Sequence, residues 1–513
     1  MILRRLTILF VIIQPVIDMD YLVYDFLDRF GLPRFSTVIR FVILPLLVLA
    51  SFFLRDKKKI RTLIPAVLYG GSLLVYFVLH TRQSIAIFDR LAFTDNFRFS
   101  TWQELTYVLT LVLPYGLTYV LYQEDLTMEE VKKIVLWISG LISVPILIGD
   151  LFVFARSTYY GYTVANVFSW FNGIYDWYHP RTLASKFFFN EGNTIGILLF
   201  MILPLLYYFF VRSEDKKEKR LIGVLIAVQS MSMQILATRV ATYGAIVVPV
   251  LFLGFMVLDK LLNHTKLLNR QIVIFSLCMA AFFGACLNYT PAIQNQKVDA
   301  VNDVALIHNG MAEEGRAILA NAEDLIPGTP EYINFYVFMF EVYGIGARYI
   351  QSVPSMYYTE YYNYQVDPKF WVDVCFMDVY DRVNGRQIET IFFNYKYANL
   401  TSFEKILGMG YSSFMNGSIV LERDFKQQIY TLGYAGFLLT IGPWLVMVLY
   451  GVWMFIRHWK KLWNLENFCL VTSLGAGLGS AYLSGHMLDQ FLTSTFMALI
   501  IAVLLRKTQK EVQ

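Results

Sequence analysis

A chain of 513 residues that is 57% hydrophobic and only 16% charged carries more apolar side chain than the core of one soluble domain can hide. The surplus belongs against lipid, which excludes a soluble enzyme, and the continuous apolar blocks argue against an outer-membrane barrel, whose strands read as short alternating segments. The net charge of +4 implies no nucleic-acid partner, and Cys278, Cys286, Cys375 and Cys469 show neither CxxC nor Cys/His spacing, so no disulfide framework follows.

The N-terminal segment turns apolar after Arg4 and Arg5, but Gln14-Pro15 and Asp18 stand where a signal peptide would carry small residues, so it reads as a retained first helix. Apolar runs then fall at about 5–24, 37–54, 62–80, 105–122, 134–155, 194–211, 220–238, 241–258, 272–288, 429–456, 468–485 and 489–505. These are twelve runs of the length a bilayer of roughly 30 Å asks of a helix. With a cytoplasmic N-terminus the inner connections include Arg55 with Lys57-Lys58-Lys59, the run RSEDKKEKR at 212–220, and Arg457 with Lys460-Lys461. Of the 43 Lys and Arg, 23 then fall in inner loops and tails, 9 in short outer connections, 10 in the stretch 289–428, and Arg239 lies between two spans. The positive-inside rule supports this orientation, with both termini cytoplasmic.

The stretch 289–428 holds 10 basic and 17 acidic residues and lies outside in this arrangement. Tyrosine pairs at 357–358 and 361–362 and the run NFYVFMF at 334–340 are too aromatic for a disordered linker. A folded outer domain resting on the membrane is expected, built of short helices rather than strands, because apolar residues recur there without clean alternation. The chain thus divides into membrane helices over 1–288, a large extracytoplasmic domain over 289–428, and further membrane helices with a cytoplasmic tail over 429–513.

Several residues are chemically out of place. Arg239 falls at the hairpin between two adjacent spans, where a fixed planar cation suits a phosphate or diphosphate, or else anchors the helix at lipid headgroups. Gly408-Met409-Gly410-Tyr411 and Gly433-Tyr434-Ala435-Gly436 mark tight turns and close backbone approach. Between them lie Glu422 and Asp424, able to serve as a base for a sugar hydroxyl or simply to complement a helix N-terminus. Asp18 and Asp20 form a carboxylate pair that could act on substrate or cap the loop. Gly475, Gly477 and Gly479 suit close helix packing rather than a nucleotide loop. The histidines lack metal-ligand spacing, so no metal or other cofactor is expected, and only His486, at an outer helix end, is kept as a site candidate.

Taken together, these residues resemble the family of O-antigen ligases and O-antigen polymerases, polytopic bacterial glycosyltransferases. IIQPVIDMDYL, with Gln14, Pro15 and Asp18, is similar to the Gln-Pro-x-x-Asp opening of Gram-positive members. FFFNEGNTIGILL, with Asn193 and Gly196, resembles the Asn-x-x-Gly start of a middle span. ILATRVATYGA resembles the family's arginine turn, and VNGRQ places Arg386 in the role of its second arginine. LGMGYSSF, with Tyr411, matches the Gly-x-Gly before the acceptor-activating residue, where Glu422 stands in place of the ligases' histidine. The segment 289–380 carries no part of the resemblance.

The resemblance implies a GT-C-like all-α membrane fold of about twelve spans in the bacterial cytoplasmic membrane. It also implies transfer of a glycan from a polyprenyl-diphosphate carrier to an acceptor hydroxyl at the outer face, without a metal. Arg239 and Arg386 would stabilise the diphosphate and Glu422, or Asp424, would be the base; Asn193, Tyr411, Asp18, Gln14 and His486 would line the substrate. The expected partners are the lipid-linked oligosaccharide, membrane lipid, a chain-length regulator and a flippase. A polymerase of lipid-linked repeats, as in capsule or exopolysaccharide synthesis, is the leading reading; the alternatives are a ligase moving finished glycan to a lipid, teichoic acid or protein, and a flippase of lipid-linked oligosaccharide. Against the flippase, the singular charges cluster at the outer face rather than at mid-membrane.

Overall fold

The computed structural model describes residues 2–91, 98–264, 268–306, 311–322, 324–348, 350, 353–378, 381, 385–415, 419 and 421–512. Among them the secondary structure is helical, apart from an isolated bridge between Arg156 and Tyr162. Among the described residues nine helices are long and apolar enough to cross a membrane: Ile2–Arg29, Phe35–Leu54, Lys59–Phe88, Thr101–Glu124, Met128–Leu151, Gly192–Arg212, Arg239–Asn263, Arg270–Val298 and Phe491–Val512. Asp424–Thr440 followed by Gly442–Arg457 makes a tenth if the pair counts as one span. The protein is an all-α polytopic membrane protein.

Two of the twelve runs read from sequence are helices but fall short of that apolar standard, Lys216–Ile235 and Leu465–Leu483. The physical reason is visible in the first. Its buried residues include Gln229, Ser232 and Gln234, and each finds a partner inside the bundle: Ser139 donates to Gln229 at 2.6 Å, and Gln229 donates to the Leu199 carbonyl at 2.9 Å. Ser232 donates to the Ser143 carbonyl and Gln234 to the Thr242 carbonyl. A helix enclosed by other helices can carry polar groups that lipid would not tolerate.

Helix starts follow their capping residues. Thr127 and Glu130 form a reciprocal capping box before Met128–Leu151, Asp215 accepts from the Lys217 and Glu218 amides, and Asn269 accepts from the Ile272 amide. Outward-facing apolar residues such as Leu63, Ile64, Val67 and Leu68 are exposed, as required of surfaces that meet acyl chains.

The chain forms two compact units, the first made of Met1–Ala66, Leu109–Asn295 and Ile441–Gln513, the second of Val67–Val108 and Gln296–Thr440. In the first, the Gly192–Arg212 helix is buried along nearly its whole length. Its close neighbours are admitted by glycine: a Cβ at Gly196 would lie 2.6 Å from the Thr238 hydroxyl oxygen, and one at Gly244 would lie 2.7 Å from the Phe200 ring. The second unit gathers the aromatic residues of the long hydrophilic stretch. Tyr362, Phe370, Trp371, Phe392 and Phe393 are buried at its centre, among helices that include Pro330–Met339, Pro368–Phe376 and Gly385–Ala398. Folded short helices, expected there from composition, are present.

Candidate functional site

In the second unit the two glycine motifs meet. Gly408 and Gly433 have positive φ, and a Cβ on Gly408 would lie 2.3 Å from the Thr431 carbonyl oxygen while one on Gly433 would lie 2.4 Å from that of Ile406. No side chain fits between these backbones. The Met409 amide donates to the Tyr430 carbonyl at 3.1 Å and the Gly410 amide to the Thr431 carbonyl at 2.8 Å, so the loop is stitched to the Asp424–Thr440 helix. Beneath it, the buried Glu104 carboxylate accepts from the Tyr411 and Ser412 amides at 3.0 and 2.7 Å and meets His80 Nε2 at 2.8 Å. His80 Nδ1 faces the Leu407 carbonyl at 2.6 Å, which fixes a hydrogen on that nitrogen. Tyr411 stacks flat on Tyr107, ring centroids 3.4 Å apart.

The same unit also presents two charged residues. Arg386, in the first turn of Gly385–Ala398, forms an ion pair with Glu422. The arginine side chain is 52% exposed and the glutamate 30% exposed, so an incoming ligand can reach both. One turn after Arg386, Glu389 accepts a 2.8 Å hydrogen bond from Tyr357, whose hydroxyl is pushed up from its ordinary range by burial and then by the Glu389 and Glu422 carboxylates. Asp424, two residues beyond Glu422, is buried at the first position of its helix. The acidic pair is thus divided, with Glu422 facing a guanidinium and Asp424 turned inward. Val383 and Asn384 of the arginine motif lie outside the described residues.

The first unit holds the other candidates. Arg239 opens the Arg239–Asn263 helix just after a tight turn, with Ala237 at φ 56° and Thr238 as the cap. It is exposed and forms no ion pair among the described residues. Asp18 pairs with Arg40 at 2.8 Å, and Arg40 Nε donates to Gln14 at 3.0 Å. Asp20 instead accepts from the Ser36 amide at 2.8 Å, an ordinary loop cap. Asp18 and Glu191 line one small cleft together with Pro15, Asn190 and Gln490. His486 pairs with Asp489 at 3.1 Å, and Asn193 donates to Ser484 at 3.1 Å. Burial raises the Glu191 carboxyl above its usual value, against the pull of His486. Among the described residues no three His, Cys, Asp or Glu side chains gather as a metal-binding set.

Sequence reasoning brought together Gln14 with Asp18 and Arg386 with Glu422, but missed Arg40, Glu191, Asp489, Glu389 and the His80–Glu104 strut. Some signals existed. Glu191 stands inside the Asn193 motif, and Asp489 is three residues from His486.

A family model matches almost the whole chain. The O-antigen ligase like membrane protein model covers residues 2–511. The chain belongs to this family. No individual curated protein matches it significantly. As an O-antigen ligase-like protein it is a multi-pass membrane protein of glycan processing, with glycosyltransferase-type chemistry and lipid-linked oligosaccharide as the class of substrate. Within this O-antigen ligase-like chain, Arg239 lies in the first unit and Arg386, Glu422 and Tyr411 in the second.

Proposed function

We propose that this protein is a polysaccharide polymerase of the bacterial cytoplasmic membrane, joining lipid-linked repeat units at the outer face. The observation that carries the reading is the Arg386–Glu422 ion pair. One partner has the charge to receive a diphosphate and the other the basicity to receive a proton. In the reaction, Glu422 takes the proton of an acceptor hydroxyl. The hydroxyl oxygen then forms a bond to the anomeric carbon, and the bond from that carbon to the diphosphate oxygen breaks. Arg239 and Arg386 neutralise the departing polyprenyl diphosphate, which needs fixed cations as its charge develops.

In the resting protein each member of the pair neutralises the other. A diphosphate competing for Arg386 frees Glu422, so binding of the donor arms the base. Asn193, Tyr411, Gln14, Asp18 and His486 shape the surroundings of the substrate, and a flippase and a chain-length regulator act before and beside the enzyme.

Purified full-length protein given a polyprenyl-diphosphate-linked repeat unit should make a ladder of lipid-linked oligomers. Glu422→Gln should slow this by about 100-fold to 10,000-fold while leaving donor binding intact, because an amide cannot accept the proton. A single addition to an unrelated acceptor would assign a ligase, and movement of intact substrate across the membrane without a new bond would assign a transporter. Loss on Asp424→Asn with normal turnover in Glu422→Gln would move the base two residues on.

A further inference from the structure

A second feature lies in the first unit and uses none of the residues assigned to the reaction above. The helices Arg239–Asn263, Gly442–Arg457, Leu465–Leu483 and Phe491–Val512 surround a groove of about 700 Å³. Its walls are mainly apolar, with Asn464, Asn467 and Thr508 the polar exceptions, and Phe255 forms an aromatic floor with Phe468 and Trp463 at centroid distances of 4.1 and 5.4 Å. Gly254 and Gly451 line it, and a Cβ on either would meet nothing within 4 Å. The space is therefore open beside both backbones.

One end of the groove is marked by charge. Phe455 and Leu462 both line it, and the segment between them carries Arg457, Lys460 and Lys461, all exposed. Lys260, two residues past the lining residue Leu258, is exposed as well. None of these four forms an ion pair with a carboxylate among the described residues, whereas Lys507 at the same end is already paired with Glu466 and Glu511. Trp453 and Trp459 flank the cluster, and Arg457 lies 5.5 Å from the Trp453 ring centroid. Tryptophan and cations at a helix end mark the headgroup level of a bilayer.

We infer that this groove is a binding site for one anionic phospholipid, its acyl chains against Phe255 and Gly451 and its phosphate among Arg457, Lys460 and Lys461. Charge complementarity selects this occupant: apolar walls alone would take any lipid, whereas unpaired cations at the mouth favour a net negative headgroup. By the positive-inside distribution this is the cytoplasmic leaflet, so the site is separate from the outer-face chemistry proposed above.

Delipidated full-length protein is titrated with dioleoylphosphatidylglycerol or dioleoylphosphatidylcholine, and retained lipid is counted by native mass spectrometry. The wild type should retain one phosphatidylglycerol at a concentration at least about tenfold lower than phosphatidylcholine requires. Gly451→Trp, which projects into open groove, should abolish that retention. The triple variant R457Q/K460Q/K461Q should lose the headgroup preference while still holding either lipid weakly. Equal retention of the two lipids by wild type, or unchanged phosphatidylglycerol retention in Gly451→Trp, overturns the proposal. A dimer that Gly451→Trp dissociates would give the groove to a second copy and overturn it equally. If Gly451→Trp does not fold, Gly254→Trp on another helix of the groove and the triple variant decide by the same readings.

Discussion

Arg386 and Glu422 face each other at the surface of the second unit, and a structural ion pair and a working one respond differently to reversal. Arg386→Glu combined with Glu422→Arg should restore the thermal stability lost by either change alone but no polymer, because cation and base would have traded places. Recovery of product in the double variant would make the pair structural. Lys396 makes a different kind of statement. Its ammonium is buried and donates to the Leu91 carbonyl and the Tyr362 hydroxyl, both at 2.6 Å, and burial lowers its pKa to about 8 from the ordinary 10.5. Below pH 8 folded and unfolded chains both hold this proton, and the burial penalty acts in full. Between 8 and 10.5 the unfolded chain holds a proton that the folded chain lacks, so stability should rise with pH. Denaturant unfolding across the lower part of that window should show the rise, and Lys396→Met should flatten it. Neither arrangement was legible in the sequence in full. Arg386 and Glu422 were found through spaced motifs, but motifs do not say that two charged residues touch. Lys396 lies in a tyrosine-rich run with nothing to mark it as buried.

The element that governs the candidate site is the glycine clamp. Gly408→Ala or Gly433→Ala would drive a methyl group into backbone 2.3–2.4 Å away, from a φ that alanine rarely adopts. A destabilisation of at least about 3 kcal/mol is expected, readable as a lowered Tm of the purified protein, while Gly442→Ala, with open space around it, should leave Tm unchanged. Glu104→Ala should cost about as much, since it strands His80 and two backbone amides in a buried place. Glycine density announced close approach from sequence, and the geometry agrees. The strut beneath was hidden because His80 ends one apolar run and Glu104 immediately precedes another, where each reads as an isolated polar residue at a helix end. Lys216–Ile235 is a related case: its lower hydropathy stands in the sequence, but that its polar residues are enclosed by protein shows only in the partners of Gln229 and Gln234.

At the scale of the molecule, the charge asymmetry makes a prediction about sidedness. Single cysteines placed in the 212–220 connection should react with a membrane-impermeant thiol reagent only after cells are opened, and cysteines at exposed positions of 289–428, such as Thr359, should react in intact cells. Labelling of 212–220 from outside would reverse the topology and with it the proposed outer-face reaction. The helical class was readable from composition because membrane helices must be long and apolar. The division of the chain was less so. Val67–Val108, which reads as most of one span, a connection and the start of the next, packs with Gln296–Thr440 as a single unit, and no local pattern reports which distant segment a helix will join.

That discontinuity sets a timetable for biosynthesis. Ser412, whose amide Glu104 accepts, is made 308 residues after Glu104 itself. At roughly 5–20 residues per second, the carboxylate waits on the order of 15–60 s before its partner leaves the ribosome. Through that interval the early helices carry a polar group awaiting its final hydrogen bonds, and the later part of the second unit has yet to be translated. Nascent chains stalled shortly after residue 300 should therefore be easily proteolysed within Val67–Val108 and held by insertion chaperones, whereas chains stalled beyond the end of the Asp424–Thr440 helix, with that helix clear of the ribosome, should become resistant together.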